Sequence, residues 1–212
     1  MTEKELAAKL IVWLQEQQWN IYQEVNYGYG MPVIDIVAVQ GNIIWAIETK
    51  LSLSMALIEQ AYFHIDKANY ISICTPHIRT TKGHKIARIL LNHLGIGYLK
   101  VSESNISENI APKLNRYSSE LKNKLNEAQK TYAKAGNSDC KYWSPFQQTS
   151  MNIVSYVAKH PGTNLKDLVS NISHHYQTPS TASACISKWI KSGIIKGIIC
   201  KQEGRFLQIY LE

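Results

Sequence analysis

The chain has 212 residues, of which 45% are hydrophobic, so it can form one large domain or two small ones and is not globally disordered. No apolar run approaches the roughly 18 residues needed to span a bilayer, and the N-terminal segment MTEKELAAKL lacks the apolar stretch of a signal peptide. The cysteines form neither a CxxC pair nor a zinc-ligand spacing. We therefore expect a cytoplasmic protein that has no membrane partner and keeps its cysteines reduced.

The net charge of +7 is concentrated in the second half of the chain. Residues 1–101 contain nine Lys and Arg and eight Asp and Glu, whereas residues 102–212 contain fourteen and eight, a local excess of six positive charges. Basic side chains gain affinity for polyanions because they release phosphate counterions. The charge therefore favours a nucleic-acid partner, although many basic proteins bind none.

Hydrophobic periodicity over residues 1–101 predicts the element order α-β-β-β-α-β-α-β, which indicates a mixed α/β domain. Thr2 and Glu5 are spaced as a capping box for the first helix, and Gly41-Asn42 supplies a hairpin turn. Helices are predicted at residues 3–19, 54–67 and 82–93. Strands are predicted at residues 20–26, 33–39, 43–50, 68–74 and 96–101.

The rest of the chain changes character twice. Residues 102–142 are rich in Ser, Asn, Lys and Glu, and we interpret them as a polar, partly helical connector, with a helix at about 113–134. Residues 143–212 then show three helical patterns followed by two strand-like runs. The predicted elements are helices from 145, at 165–172 and at 180–193, and strands at 194–200 and 205–211 around the turn KQEG. This order is typical of a winged helix-turn-helix domain.

Three ionisable residues stand out at the central predicted hairpin. Asp35 lies in the middle of VIDIVAV, and a buried carboxylate costs several kcal/mol unless it is paired or binds a metal ion. Glu48 and Lys50 end the next strand and point to one face because they are two residues apart. The alternative without a function is a surface ion pair between Glu48 and Lys50, with Asp35 in a turn. The apolar neighbours of Asp35 argue against it.

Such a grouping suits metal-dependent phosphodiester hydrolysis. Two carboxylates and a backbone carbonyl, here that of Thr49, are the hard oxygen ligands that Mg²⁺ prefers. A bound Mg²⁺ or Mn²⁺ polarises a phosphate and lowers the pKa of bound water. Lys50 could orient that water or stabilise the charge that develops on phosphorus.

Asp35, followed after a short hairpin by Glu48-Thr49-Lys50, resembles the D…ExK signature of PD-(D/E)xK nucleases. The proline of that signature is displaced, since Pro32 lies three residues before the aspartate. The resemblance covers about the first 101 residues. It implies a restriction endonuclease-like mixed β-sheet flanked by helices, with the aspartate and glutamate as metal ligands and the lysine as a catalytic group.

The resemblance extends into the following helix, where Gln60 matches a glutamine that faces the active site in such relatives. The tyrosine of the full QxxxY form is replaced by His64, which shares a helical face with Gln60. Many relatives add an acidic residue from the first helix. The candidates, in order of preference, are Glu5, Glu16 and, on the first strand, Glu24.

In the C-terminal domain, the predicted third helix is the candidate recognition helix, and its polar side chains could contact phosphates or base edges. The predicted wing would contact the DNA backbone or minor groove. Ile186, Trp189 and Ile190 are assigned to the core. The candidate DNA-binding residues are Ser180, Thr181, Ser183, Ser187, Lys188 and Lys191 on the helix, and Lys201 and Arg205 on the wing.

We thus predict a two-domain DNA endonuclease dependent on Mg²⁺ or Mn²⁺, whose winged helix positions double-stranded DNA. Two alternatives stay open: a catalytically inactive nuclease-like adaptor or regulator that binds DNA, and an RNA-processing nuclease. Winged helices also mediate protein contacts, so a homodimer or a protein partner remains an alternative role for the second domain.

Overall fold

A computed structural model describes residues 1–27, 32–77, 82–115, 120–131, 135, 144–203 and 206–212, without the side chains of residues 82, 83, 120, 203 and 206. The chain divides into two compact units, Met1–Trp143 and Ser144–Glu212. No helix among the described residues is long and apolar enough to cross a membrane.

The first unit is built on a six-stranded mixed sheet with the strand order β1-β2-β3-β4-β5-β6. Strands β3, β4 and β5 run parallel, and the other neighbouring pairs are antiparallel. The elements are α1 (Glu3–Glu16), β1 (Asn20–Val25), β2 (Ile34–Gln40), β3 (Ile43–Thr49), α2 (Met55–Tyr62), β4 (Tyr70–Pro76), α3 (Lys82–Leu94), β5 (Gly97–Val101) and β6 (Ile106–Ile110). The predicted mixed α/β class and the order of the first eight elements are confirmed.

Hydrophobic side chains cover both faces of this sheet, because successive strand residues point to opposite sides. One core cluster joins α1, including Leu6 and Leu10, to residues such as Ile47. The other joins α2 and α3 to the opposite face, with Ile58 and Leu91 among its members. Helices therefore pack against both faces of the sheet.

The helix α2 is shorter than the predicted 54–67, and its end shapes the site. It begins after the N-cap Ser54, whose hydroxyl accepts from the Leu57 amide, and ends at Tyr62. The His64 amide donates to the carbonyl three residues back, as the following turns tighten. His64, two residues after the end of α2, is fully buried.

The predicted connector 102–142 is largely part of the first unit, and the prediction was wrong there. Residues 106–110 form β6, which pairs with β5, and Ile110 and Leu121 are buried in the core. In place of one polar helix, two short 3₁₀ helices span Glu120–Lys124 and Glu127–Lys130. The apolar residues of this segment are few and irregularly spaced, so periodicity alone did not reveal them.

The second unit combines three helices with a three-stranded sheet of order β7-β9-β8. Its elements are α4 (Pro145–Lys159), β7 (Thr163–Asn164), α5 (Leu165–Asn171), α6 (Pro179–Lys191), β8 (Ile198–Glu203) and β9 (Phe206–Leu211). The predicted strand 194–200 starts only at Ile198 and continues through the predicted turn as far as Glu203, because Lys201 pairs with Gln208. The short strand β7 was not predicted.

Candidate functional site

Three acidic residues form a row across the first three strands. The pairing of Ile36 with Ile47 places Asp35 opposite Glu48, and the register of β1 with β2 places Glu24 opposite Asp35. Directly opposed residues in a sheet have neighbouring side chains. The hairpin therefore brings together the two carboxylates that the sequence singled out.

Asp35 is anchored to the end of β3. Its Oδ2 accepts hydrogen bonds from the Thr49 backbone N–H and the Thr49 Oγ1 hydroxyl, each at 2.8 Å. Burial raises the pKa of Asp35 above its usual value, although the hydrogen bonds from Thr49 and the charge of Lys50 act in the opposite direction. The carboxylate is thus held firmly, at a cost in desolvation.

Glu48 is the more strongly perturbed carboxyl group. Only 3% of the residue is exposed, and its carboxylate also accepts from the backbone N–H of Asp35. Burial, followed by the negative charges of Asp35 and Glu24, raises the pKa of Glu48 well above its usual value, and Lys50 opposes this shift. Among the described residues, the Glu48 carboxylate forms no ion pair with a lysine or arginine, and a bound cation would compensate its charge.

A buried hydrogen-bonded chain leads from Glu48 into the first unit. His64 Nε2 lies 2.8 Å from Glu48 Oε1, and His64 Nδ1 lies 3.0 Å from the hydroxyl of Tyr27. Burial lowers the pKa of His64 to about 4, so the ring is neutral at neutral pH. When Glu48 is ionised, Nε2–H donates to the carboxylate and the Tyr27 hydroxyl donates to Nδ1. His64 therefore fixes the orientation of Glu48.

Lys50 lies where the site meets solvent. Its side chain is 48% exposed, and its Nζ is 3.8 Å from Glu3 Oε1. Its positive charge lowers the pKa of both Asp35 and Glu48. The lysine is thus close enough to influence both carboxylates while its ammonium group remains accessible.

Of the predicted acidic partners, Glu5 is not brought to this site. It forms the predicted capping box with Thr2, and its side chain is 63% exposed. Glu3, two residues earlier on the same helix, instead raises the pKa of Asp35 and approaches Lys50. The sequence placed an acid at this end of the helix, but it did not reveal which face of the helix meets the sheet.

Of the other two acidic candidates, Glu16 lies away from the site and Glu24 lies within it. Glu16 is exposed at the far end of α1. Glu24 lies beside Asp35 and adopts the left-handed backbone conformation, with φ of 50°. Such a conformation costs a non-glycine residue about 1–3 kcal/mol and is concentrated at functional sites.

Gln60 was expected to face the site, and His64 only to share its helical face, but the structure places them the other way round. His64 is fully buried and contacts Glu48, whereas Gln60 is half-buried and makes no hydrogen bond with either carboxylate in the described part of the chain. The contact of Tyr27 with His64 was missed because it crosses 37 residues of sequence and leaves no local pattern.

The donor set fits a hard divalent cation such as Mg²⁺ or Mn²⁺. Asp35 and Glu48 would supply carboxylate oxygens, and the intervening backbone carbonyl of Thr49 would supply a third. Within the described ranges, no cluster of three or more His, Cys, Asp and Glu side chains is arranged to hold a metal ion. A set of two carboxylates and one carbonyl requires no such cluster.

In the second unit, the candidate DNA-binding residues divide by exposure. Lys188 and Lys191 are exposed on α6, and Lys201 is exposed on β8. Ser180 and Thr181 are also exposed, although the Thr181 hydroxyl hydrogen-bonds that of the N-cap Thr178. Ser183 and Ser187 are half-buried, and Arg205 lies outside the described residues.

The apolar side of α6 packs into the second unit. Ile186 and Ile190 are buried in its core, and Trp189 packs against that core while its indole donates to Tyr176. The assignment of these three α6 residues to packing is confirmed. Lys188, whose ammonium lies 5.5 Å from the Trp189 ring centre, remains on the solvent side.

No family model matches this chain, and no curated protein is significantly similar to it in sequence. Among solved structures, the chain is similar to a protein of unknown function from Silicibacter pomeroyi, with 12% identity and a TM-score of 0.41, over 61% of this chain and 80% of the other. This similarity carries no argument about function.

Proposed function

We propose that the chain is a metal-dependent DNA endonuclease that hydrolyses phosphodiester bonds. The observation that carries the proposal is the pair Asp35 and Glu48, two buried carboxyl groups on neighbouring strands, joined by the Asp35 N–H and flanked by Lys50. Retaining two poorly compensated buried charges is unfavourable for a purely structural role. A divalent cation provides the missing compensation.

Each residue has a distinct part in this proposal. Asp35, Glu48 and the Thr49 carbonyl would hold the ion, which activates water and polarises the phosphate when bound. Thr49 keeps the Asp35 carboxylate in place through two hydrogen bonds, and His64 does the same for Glu48. Lys50 would orient the attacking water or stabilise charge on the phosphate oxygens.

The finer fold assignments belong to the same proposal. The order of α1 to β5, with the acidic hairpin at its centre, supports a restriction endonuclease-like first unit. Three helices followed by the β8–β9 hairpin support a winged helix in the second. That unit carries seven Lys and Arg against three Asp and Glu, and this excess favours double-stranded DNA as its partner.

A second candidate function is DNA binding without cleavage, as an adaptor or regulator. It is favoured by the fact that both carboxylates already have protein partners, Thr49 for Asp35 and His64 for Glu48. The buried acids would then serve only to fix the hairpin. Divalent metal binding and cleavage separate the two functions.

The deciding experiment incubates the full chain with plasmid, linear and branched DNA, and with RNA of the same sequences, in Mg²⁺, Mn²⁺ or EDTA. We expect DNA cleavage that requires a divalent ion and is abolished by Lys50→Ala. Cleavage of RNA alone would assign the chain to RNA processing. Cutting of DNA by Lys50→Ala at the wild-type rate would refute the role of that lysine.

A further inference from the structure

A second chemically unusual position lies in the first unit, two strands from the proposed metal site. Lys100 lies near the end of β5, the strand next to the edge strand β6, and only 6% of the residue is exposed. Its ammonium lies 5.3 Å from the ring centre of Tyr98 and makes no hydrogen bond or ion pair with any residue that the structure describes. The fold thus covers most of the Lys100 side chain, while its ammonium has no acidic partner among the described residues and is available to an anion.

The surroundings of Lys100 add positive charge. Burial lowers the pKa of Lys100, and the positive charge of Arg88 on α3 lowers it further. The neighbouring strand places Ser107 opposite Lys100, whereas the acid Glu108 lies opposite Leu99 and so points to the other face. The local arrangement therefore favours an anionic ligand.

The aromatic support of this lysine is rigid. The Tyr98 hydroxyl is 2.9 Å from Thr75 Oγ1, and both side chains are buried. Thr75 pairs with Lys100 across the two parallel strands. The aromatic ring beside the Lys100 ammonium is thus held in place, as expected of the support of a preorganised binding group.

The position relative to the proposed metal site indicates the type of anion. In the parallel register, Glu48 on β3 lies level with Ile73 on β4 and Tyr98 on β5. Two residues further along each strand, Lys50 lies level with Thr75 and Lys100. Lys50 and Lys100 therefore lie at the carboxyl ends of β3 and β5, which β4 separates, and two strand spacings place their backbones about 10 Å apart. Ligands commonly bind outside the carboxyl ends of parallel strands.

We propose that Lys100 and Arg88 form a second phosphate-binding subsite, which holds a backbone phosphate of the polynucleotide whose scissile phosphate lies at Lys50. The substrate class rests on the proposed function, whereas binding at this subsite does not require cleavage. A ligand that reaches both lysines presents more than one phosphate, and this favours a polynucleotide over free phosphate.

The test measures binding of the full chain to a fluorescent 20-nucleotide DNA, single- and double-stranded, by anisotropy in EDTA over a range of salt concentrations. Lys100→Met removes the charge but keeps the stem, and Lys100→Arg restores a charge. Lys113→Met is the matched control, because Lys113 is exposed beside Gly95, at the opposite edge of the sheet. Thermal unfolding verifies that each variant is folded.

We expect Lys100→Met to weaken binding about tenfold at low salt, the typical effect of losing one hydrogen bond to a charged group. The slope of log K against log salt should fall by about one unit, with Lys113→Met and Lys100→Arg near wild type. Arg88→Gln, on the exposed surface of α3, should act in the same direction and serves as the second variant if Lys100→Met does not fold.

Three other outcomes would overturn the subsite, the polynucleotide assignment or the nuclease proposal. Wild-type binding by both Lys100→Met and Arg88→Gln, or no DNA binding by the wild-type chain, overturns the subsite. Titration with inorganic phosphate and with AMP separates the sources of the anion: binding of either as tight as that of the DNA, and dependent on Lys100, would overturn the polynucleotide assignment. If binding depends on Lys100 but no DNA is cut in Mg²⁺ or Mn²⁺, the subsite stands and the nuclease proposal fails.

Discussion

Replacing Glu48 by Gln should make the metal-free protein more stable near neutral pH. Only 3% of Glu48 is exposed, and an ion in such a position costs several kcal/mol. The amide keeps an acceptor for His64 and loses about one hydrogen bond, worth about 1 kcal/mol. We therefore expect a net gain of about 1–3 kcal/mol, or at least about 2 °C in unfolding temperature.

Divalent ions should make the wild type more stable than Glu48→Gln, the reverse of the order expected without metal. At a concentration one hundred times its dissociation constant, an ion that binds only the folded state stabilises it by about 2.7 kcal/mol. The wild type should gain this stability from Mg²⁺ or Mn²⁺, and Glu48→Gln should gain little, because it lacks a charged ligand. Saturating metal should thus make the wild type the more stable of the two.

Calorimetric or fluorescence-detected unfolding at pH 7.5, with EDTA or with increasing Mg²⁺, measures both effects. Glu59→Gln is the matched control, because Glu59 is exposed on α2 and should respond to neither condition. The reasoning is refuted if Glu48→Gln is no more stable than the wild type in EDTA and responds equally to the metal. That result would show that the Glu48 carboxylate neither destabilises the metal-free protein nor binds the metal ion.

Three further predictions follow from the same site and from α6. Asp35→Asn should abolish cleavage but leave DNA affinity within about twofold, since Asp35 acts on the metal and the transition state, and filter binding beside a cleavage assay tests this. Replacing Lys188 and Lys191 by Ala should weaken DNA binding and lower its salt slope by about one unit per lost phosphate contact; an unchanged slope would favour a protein-docking role. The low pKa of His64, about 4 against a usual 6.5, means that its contribution to stability is present above pH 6.5 and is lost as the pH falls towards 4. His64→Gln should remove that loss, best measured in the Glu48→Gln background because the raised pKa of Glu48 contributes in the opposite direction.

The sequence alone predicted the centre of the fold well, for a physical reason. The apolar run of β2, the turn at Gly41 and the apolar run of β3 are local signals, and they fix which residues face each other. Asp35 and Glu48 stood out because a carboxylate within such a run is costly. The edge strand β6 was missed because only two of the five residues of ISENI are apolar and the strand gains its stability from pairing with β5.

The surroundings of the site could not be predicted in the same way. The choice between Glu3 and Glu5 depends on how α1 is rotated against the sheet, and the spacing of its acids does not specify that rotation. The burial of His64 depends on where α2 ends, and its bond to Tyr27 is a long-range contact. Lys100 appears as an ordinary strand lysine until the burial around it is known.

The most direct test of the central claim is relaxation of supercoiled plasmid by the wild type, Glu48→Gln and Glu59→Gln, purified identically, in Mg²⁺, Mn²⁺ and EDTA. We predict nicked or linear DNA with the wild type and with Glu59→Gln only when a divalent ion is present, and at least about a hundredfold slower cutting by Glu48→Gln. Equal cutting by all three proteins, or no cutting by the wild type with either metal and with plasmid, linear and branched substrates alike, would contradict the assignment of Asp35, Glu48 and Lys50 as a nuclease centre.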